Sequence, residues 1–157
     1  MRNILGRILA VALLLASPLY AFDRQDFDRI ADFSVTIKTL AGLSEAGGLS
    51  GRLLLLDGTV ASMQFLDPAE ASFAVELELA GGEWIGTEDV AIYLCRVRFR
   101  GQEYFRRFPR RAPRTPGPSE ILLNDRILVV ARLAGRAVAE DGSPLWVLEG
   151  LHVRALR

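Results

Sequence analysis

Arginine is the residue type whose number and spacing in this 157-residue sequence most clearly indicate a binding chemistry. Positions 96 to 114 contain eight arginines and one acidic residue, Glu103, so the stretch has a net charge of +7. Guanidinium groups hold phosphates and carboxylates through paired hydrogen bonds, and interleaved aromatic rings can stack on flat ligands. The candidate ligand-binding residues are Arg96, Arg98, Arg100, Tyr104, Arg106, Arg107, Arg110 and Arg111.

The charge of this stretch has two explanations that the sequence leaves open. Its first three arginines alternate with Val97 and Phe99, as expected of a strand with one buried and one solvated face, where charges are ordinary. Residues 22–95 contain 13 acidic and only 4 basic residues, so the chain could neutralise its own arginines. Alternatively, an external anionic ligand or acidic partner does so.

Signals for catalysis and metal binding are weak throughout the sequence. The chain has one histidine, His152, and one cysteine, Cys95, and neither belongs to a zinc-ligand spacing. No phosphate-binding loop or nucleophile elbow is present. We therefore predict a protein that is not an enzyme and has no catalytic residues, metal ligands or cofactor. Cys95 falls on an apolar strand face and is predicted to be a buried, unreactive thiol.

The N-terminus has the pattern of a secretory signal peptide. Arg2 and Arg7 precede an uncharged apolar run, and small residues surround a predicted cleavage site after Ala21. The run is too short to span a membrane, so the protein is predicted to be exported to the periplasm or the extracellular space. The predicted domains are the signal peptide at 1–21, an N-terminal helical segment at 22–49 and a β-barrel domain at 50–157.

Five stretches have the alternating pattern of β-strands. They are residues 52–66, 71–80, 90–100, 126–138 and 145–156. Asp57-Gly58 in the first stretch fits either a hairpin turn or a glycine bulge in one long bent strand, and we favour the bulge. A helix is predicted over about 24–45, although 33–38 also fits a strand. A loop is predicted around Trp84.

Alternation along these strands also predicts the core. The inward-facing residues are Val75, Leu77, Leu79, Tyr93, Cys95, Val97, Phe99, Ile127, Val129, Ala131, Leu133, Leu151 and Val153.

The number and order of these strands resemble an OB-fold, a small five-stranded antiparallel barrel, over about 50–157. The resemblance rests on the bent glycine-containing first strand, the polar turn at Asn124-Asp125 leading into the fourth strand, and the final hairpin at Asp141-Gly142. OB-folds usually place a helix between strands three and four, whereas here residues 103–108 allow only a turn or two. The fold class is therefore mainly β, an OB-like barrel with an N-terminal helix, which we expect to cover the open end.

The resemblance implies a binding module, because OB-folds suit oligonucleotides and oligosaccharides. Combined with export, it predicts a non-enzymatic module whose arginine-rich strand and connection hold an anionic ligand or an acidic protein surface. No cytoplasmic nucleic acid partner is expected, and the mature protein should not span a membrane. The alternative function is an envelope-structural or protein–protein interaction domain.

Overall fold

The computed structural model describes residues 31–139 and 142–157, which form a barrel of long strands. The predicted signal peptide, residues 22–30 of the helical segment and part of the Asp141-Gly142 turn lie outside the described residues. In chain order the elements are β1 Ala31–Asp32, α1 Ile37–Ala41, β2 Leu53–Asp67, β3 Ala74–Ile85, β4 Asp89–Arg100, β5 Arg126–Val138 and β6 Pro144–Ala155. Three short 3₁₀ helices lie at Gly47–Leu49, Glu70–Ser72 and Gln102–Tyr104.

Five of the strands form a closed ring in the order β2, β3, β4, β6 and β5. The neighbours pair antiparallel except β4 and β6, which run parallel over Arg96–Arg98, and β2 closes the ring by pairing with β5. Closure leaves few unpaired edges, which stabilises a small sheet in water. The predicted fold class, a mainly β, five-stranded OB-like barrel, is confirmed.

The first barrel strand is continuous through Asp57-Gly58, in agreement with the bent-strand interpretation. β2 pairs with β5 up to Thr59 and with β3 from Thr59 onwards, so one bent strand serves both neighbours. Its register with β3 shifts twice, between Val60 and Ser62 and between Phe65 and Asp67, and both shifts lie beyond Gly58. Gly58 instead allows close packing, because a Cβ atom there would lie 2.7 Å from Ile37 Cδ1.

The prediction of a loop around Trp84 is wrong, because β3 and β4 continue as a two-stranded arm beyond the ring. Trp84 pairs across the arm with Val90, and Gly82 pairs with Ile92. The glycines suggested a break, but pairing with the β-branched and aromatic residues of β4 keeps them extended. The arm, residues 81–93, lies largely in solvent.

The prediction of a long N-terminal helix over about 24–45 is also wrong within the described residues. Ala31–Asp32 pair parallel with β2, and Asp32 accepts hydrogen bonds from Ser34. The helix begins only after Thr36, which forms a reciprocal capping box with Thr39, and it lasts five residues. Thr and Asp side chains therefore interrupt the helical pattern through local hydrogen bonds.

The predicted core is largely confirmed, with one error in the last strand. Ten of the thirteen residues are buried, and Tyr93 and Leu133 are partly buried against the core. Leu151 is 39% exposed. The reason is a bulge: Val130 pairs with His152 but Ala131 pairs with Gly150, so Leu151 is the extra residue. The inward face before it is therefore Trp146, Leu148 and Gly150.

Candidate functional site

Two of the predicted site arginines are paired within the protein. Arg98 Nε lies 2.5 Å from Glu76 Oε2, and Arg96 lies 3.6 Å from Glu76 and 3.8 Å from Glu78. The antiparallel register sets Glu76 opposite Arg98 and Glu78 opposite Arg96. Acidic β3 therefore neutralises much of the strand charge, and the Glu76 side chain is only 8% exposed.

The arginines that follow β4 are different. Arg100, Arg106, Arg111 and Arg114 are exposed, and no carboxylate of the described residues lies within ion-pair distance of them. Arg114 is not one of the candidate residues predicted from the sequence, although it belongs to the same run. We call these four the open arginines.

The aromatic residues of the connection face inward. Tyr104 is buried beside Phe99 and Phe108, with ring centroids 5.1 and 6.3 Å away. Its hydroxyl donates a 2.8 Å hydrogen bond to the carbonyl of Leu151, and burial raises its pKa. Tyr104, a predicted ligand-binding residue, therefore supports the barrel and has no exposed ring face for a ligand.

These inward contacts fix the backbone that carries the open arginines. Gly101 N donates to Phe73 O at 2.9 Å, and Ile121 N donates to Arg107 O at 2.7 Å. The Arg107 guanidinium itself turns inward and donates to Val153 O at 2.9 Å. The connection is thus held at both ends, while Arg106 and Arg111 point away from the core.

Arg110 has a distinct geometry among the predicted site residues. Its guanidinium carbon lies 6.0 Å from the centroid of the Phe65 ring, within cation–π range, and its side chain remains exposed. The contact places the Arg110 guanidinium beside the Phe65 ring while the side chain as a whole stays exposed to solvent.

The surface around these arginines is shallow. One depression is lined by Glu70, Gln102, Glu103 and Arg106, and a second by Pro109, Arg110 and Arg111. Such a surface suits an extended chain of repeated charges more than a small molecule, which is usually enclosed.

A polar groove lies over the paired charges of β3 and β4. Ser62, Gln64, Glu78, Arg96 and the ends of the β5–β6 hairpin at Ala139 and Ser143 line a volume of about 420 Å³. Glu76 and Glu78 face the single Arg96 there, so the groove contributes hydrogen-bonding groups and one net negative charge.

Reactive groups are sparse elsewhere in the described part of the chain. His152 is exposed on β6, and the buried Cys95 thiol has its pKa raised to about 12 by desolvation. Within residues 31–139 and 142–157, no three His, Cys, Asp or Glu side chains cluster as metal ligands would. No helix of that same region has the length and apolar character needed to cross a membrane.

Comparison with known proteins gives matches at the level of structure only. No family model and no curated protein sequence matches the chain. A small single-stranded DNA-binding protein of Streptomyces coelicolor has 15% identity and a TM-score of 0.40, covering 66% of this chain and 90% of its own. The Plasmodium falciparum single-stranded DNA-binding protein has 13% identity and a TM-score of 0.39, over 67% of this chain and 94% of its own. The Thermus aquaticus protein has 16% identity and a TM-score of 0.40, over 67% of this chain and 49% of its own.

These matches correct the function and partner predicted from the sequence. The neighbours are single-stranded DNA-binding proteins, which contradicts an exported module for other anionic ligands, its envelope-structural alternative and the expectation of no cytoplasmic nucleic acid partner. A secreted or periplasmic character has no support among them. The segment that predicted export lies outside the described residues, and the location of the protein stays a prediction.

Proposed function

We propose that this barrel binds single-stranded nucleic acid, without catalysis, along the surface formed by the open arginines and Arg110. The observation that carries the proposal is the contrast in pairing: Arg96 and Arg98 have carboxylate partners, whereas the open arginines have none among the described residues. Exposed guanidinium groups on a fixed backbone match the repeated charges of a phosphodiester chain.

Arg110 favours single strands over duplex. A guanidinium plane can stack on an unpaired base, and the contact with Phe65 keeps the Arg110 guanidinium at the protein surface where a base can reach it. In a duplex the base faces are covered by neighbouring pairs, so this contact is not available. The ligand class agrees with the names of the structural neighbours, but its support comes from these side chains.

The central test is fluorescence anisotropy with a labelled oligothymidylate at several salt concentrations. The double variant Arg106→Glu/Arg111→Glu should weaken binding by about tenfold or more at low salt, and the salt slope should fall by about 0.7 for each phosphate that the variant no longer neutralises. A matched control is Arg132→Glu/Arg154→Glu, which makes the same charge change at exposed positions of β5 and β6.

The two variants together separate a site from a general charge effect. Equal reductions in affinity for both would mean that net charge alone attracts the oligonucleotide, and the site assignment would be wrong. Absence of wild-type binding at low ionic strength would contradict the proposed function.

A second variant tests the stacking contact. Arg110→Lys keeps the charge but removes the planar group, so affinity for the oligothymidylate should fall several-fold with little change in salt slope. Affinity for a duplex of equal length should be unaffected. Equal reductions for both ligands would contradict the stacking role of Arg110.

A further inference from the structure

The polar groove over β3 and β4 lies on the same sheet face as one of the open arginines. Arg96, Arg98 and Arg100 alternate along β4, so all three side chains project from its outer face. Arg96 lines the groove, and the exposed Arg100 is four positions further along the strand, which is about 13 Å. A single strand bound at Arg100 can therefore continue along β4 and place a base in the groove.

The lining of the groove combines an apolar surface with hydrogen-bonding side chains. Leu94, which is half-buried, provides the apolar part, and the exposed Ser62 and Gln64 add polar groups from β2. Strand register places Ser62 beside Glu78, and Glu78 beside Arg96, in one row across the sheet. A flat ring with a polar edge, such as a nucleobase, needs both kinds of contact.

The two carboxylates of the groove differ in what they can still bind. The Glu76 side chain is 8% exposed and accepts a 2.5 Å hydrogen bond from Arg98 Nε. The Glu78 side chain is 26% exposed, and its ion-pair partner Arg96 lies 3.8 Å away, beyond hydrogen-bond distance. The Glu78 carboxylate therefore keeps lone pairs for a ligand, and an ionised carboxylate accepts hydrogen bonds without donating any.

Guanine is the base whose hydrogen-bonding edge fits such an acceptor. Its ring N1–H and its exocyclic amino group are adjacent donors, so they match the two oxygens of one carboxylate. Adenine and cytosine have an amino donor beside a bare ring nitrogen, and thymine has carbonyl oxygens on both sides of one N–H. Those bare nitrogens and oxygens repel a carboxylate. Arg96, also in the groove, has donors for the guanine O6 atom on the same edge.

We propose that the groove is a subsite that selects guanine within a bound single strand, with Glu78 as its specificity-determining residue. The inference rests on the proposed function, since it requires a strand that the open arginines and Arg110 hold. The negative charge of the groove then favours one base over the others. Two hydrogen bonds from guanine offset the charge, whereas a base that cannot donate them leaves the carboxylate unsatisfied.

Anisotropy titrations with three labelled oligonucleotides of equal length test the proposal. The first is oligothymidylate, the second has guanine at every third position, and the third has hypoxanthine at those positions. Hypoxanthine has nearly the shape of guanine but lacks the exocyclic amino group, so it controls for stacking. The wild type should bind the guanine oligonucleotide about fivefold or more tightly than oligothymidylate, as expected of a bidentate contact, and hypoxanthine should lose most of this preference.

The variant Glu78→Gln tests the residue responsible. It replaces one acceptor oxygen with an amide donor, so most of the preference for guanine should disappear. Binding of oligothymidylate should be kept, which also shows that the variant is folded. The matched control is Glu45→Gln, which removes the same charge at an exposed site outside the barrel strands and should retain the preference.

The outcomes separate this subsite from the proposed function. Equal wild-type affinity for all three oligonucleotides would overturn the subsite and leave the proposed function intact. A guanine preference that hypoxanthine or Glu78→Gln retains in full would overturn the role of the Glu78 carboxylate. Failure of every oligonucleotide to bind would instead contradict the proposed function, and the subsite with it.

Discussion

The Cys95 thiol shows how burial alone sets the chemistry of a residue. It lies in the core opposite Leu79, and desolvation raises its pKa from an ordinary 9.0 to about 12. The thiolate is the reactive form, so the native protein should resist a thiol-reactive aromatic disulfide at pH 8 and react fully in denaturant. The folded state holds this proton more tightly than the unfolded chain, so stability should decline as pH rises above 9 towards 12. Rapid labelling of the native protein would contradict this burial.

Val97 provides a second prediction at the residue scale. It is fully buried, with Leu77 and Leu148 as its strand neighbours. Val97→Asp places an unpaired charge in the core and should cost more than about 3 kcal/mol, enough to unfold a domain of this size or nearly so. The same change at the exposed Val138 should shift the melting temperature little. Circular dichroism melting curves of both variants make the comparison, and a wild-type melting temperature for Val97→Asp would contradict the assigned facing.

At the scale of elements, alternation of apolar residues was sufficient to predict the five strands because each has one buried face. Prediction from the residue pattern failed where strand pairing or local hydrogen bonds, which the pattern does not show, determine the structure. The arm keeps its strand through pairing across glycines, and the N-terminal segment breaks its helix through the hydrogen bonds of Asp32 and Thr36. The facing of Leu151 failed because a bulge changes the parity of a strand without any signal in residue type.

Gly150, beside that bulge, gives the prediction for this scale. A Cβ atom there would overlap the ring of Phe99, which is fully buried and cannot move aside. Gly150→Ala should therefore destabilise the protein by about 1–3 kcal/mol through overpacking. Gly135→Ala is the matched control, because it lies in the same hairpin with no atom within 4 Å of the added methyl group.

Chemical denaturation of a variant that combines Gly150→Ala with Phe99→Leu tests whether contact with the Phe99 ring causes the destabilisation. If the Phe99 ring is responsible, Gly150→Ala should cost much less in a Phe99→Leu background than in the wild type, as expected of residues that touch each other. Equal costs in both backgrounds would mean that the destabilisation comes from the backbone of Gly150.

At the scale of the whole molecule, the sequence located the cluster of positive charge but not its free part. Arg96 and Arg100 look alike in the sequence, and only the register with β3 shows that the first is paired and the second is not. Tyr104 resembled a stacking residue because its neighbours are arginines, yet its hydrogen bond to Leu151, 47 residues away in the chain, draws it inward. Contacts between residues far apart in the chain therefore determine which side chains of a charged stretch stay exposed and able to contact a ligand.

The same balance of charge gives the last prediction, which concerns how far a bound strand extends beyond the open arginines. Glu78 lies 3.8 Å from Arg96 in the polar groove, and a partly exposed pair at that distance contributes little to stability. Glu78→Gln removes one negative charge from the face of β3 and β4 without changing the shape of the side chain. If the oligonucleotide crosses this face, its affinity should rise several-fold at low salt, and the gain should vanish at high salt as screening removes it. Glu45→Gln makes the same charge change at an exposed site outside the barrel strands and should raise affinity less. Equal gains in the anisotropy titration would indicate net charge alone, and no gain for Glu78→Gln would confine the bound strand to the open arginines and Arg110.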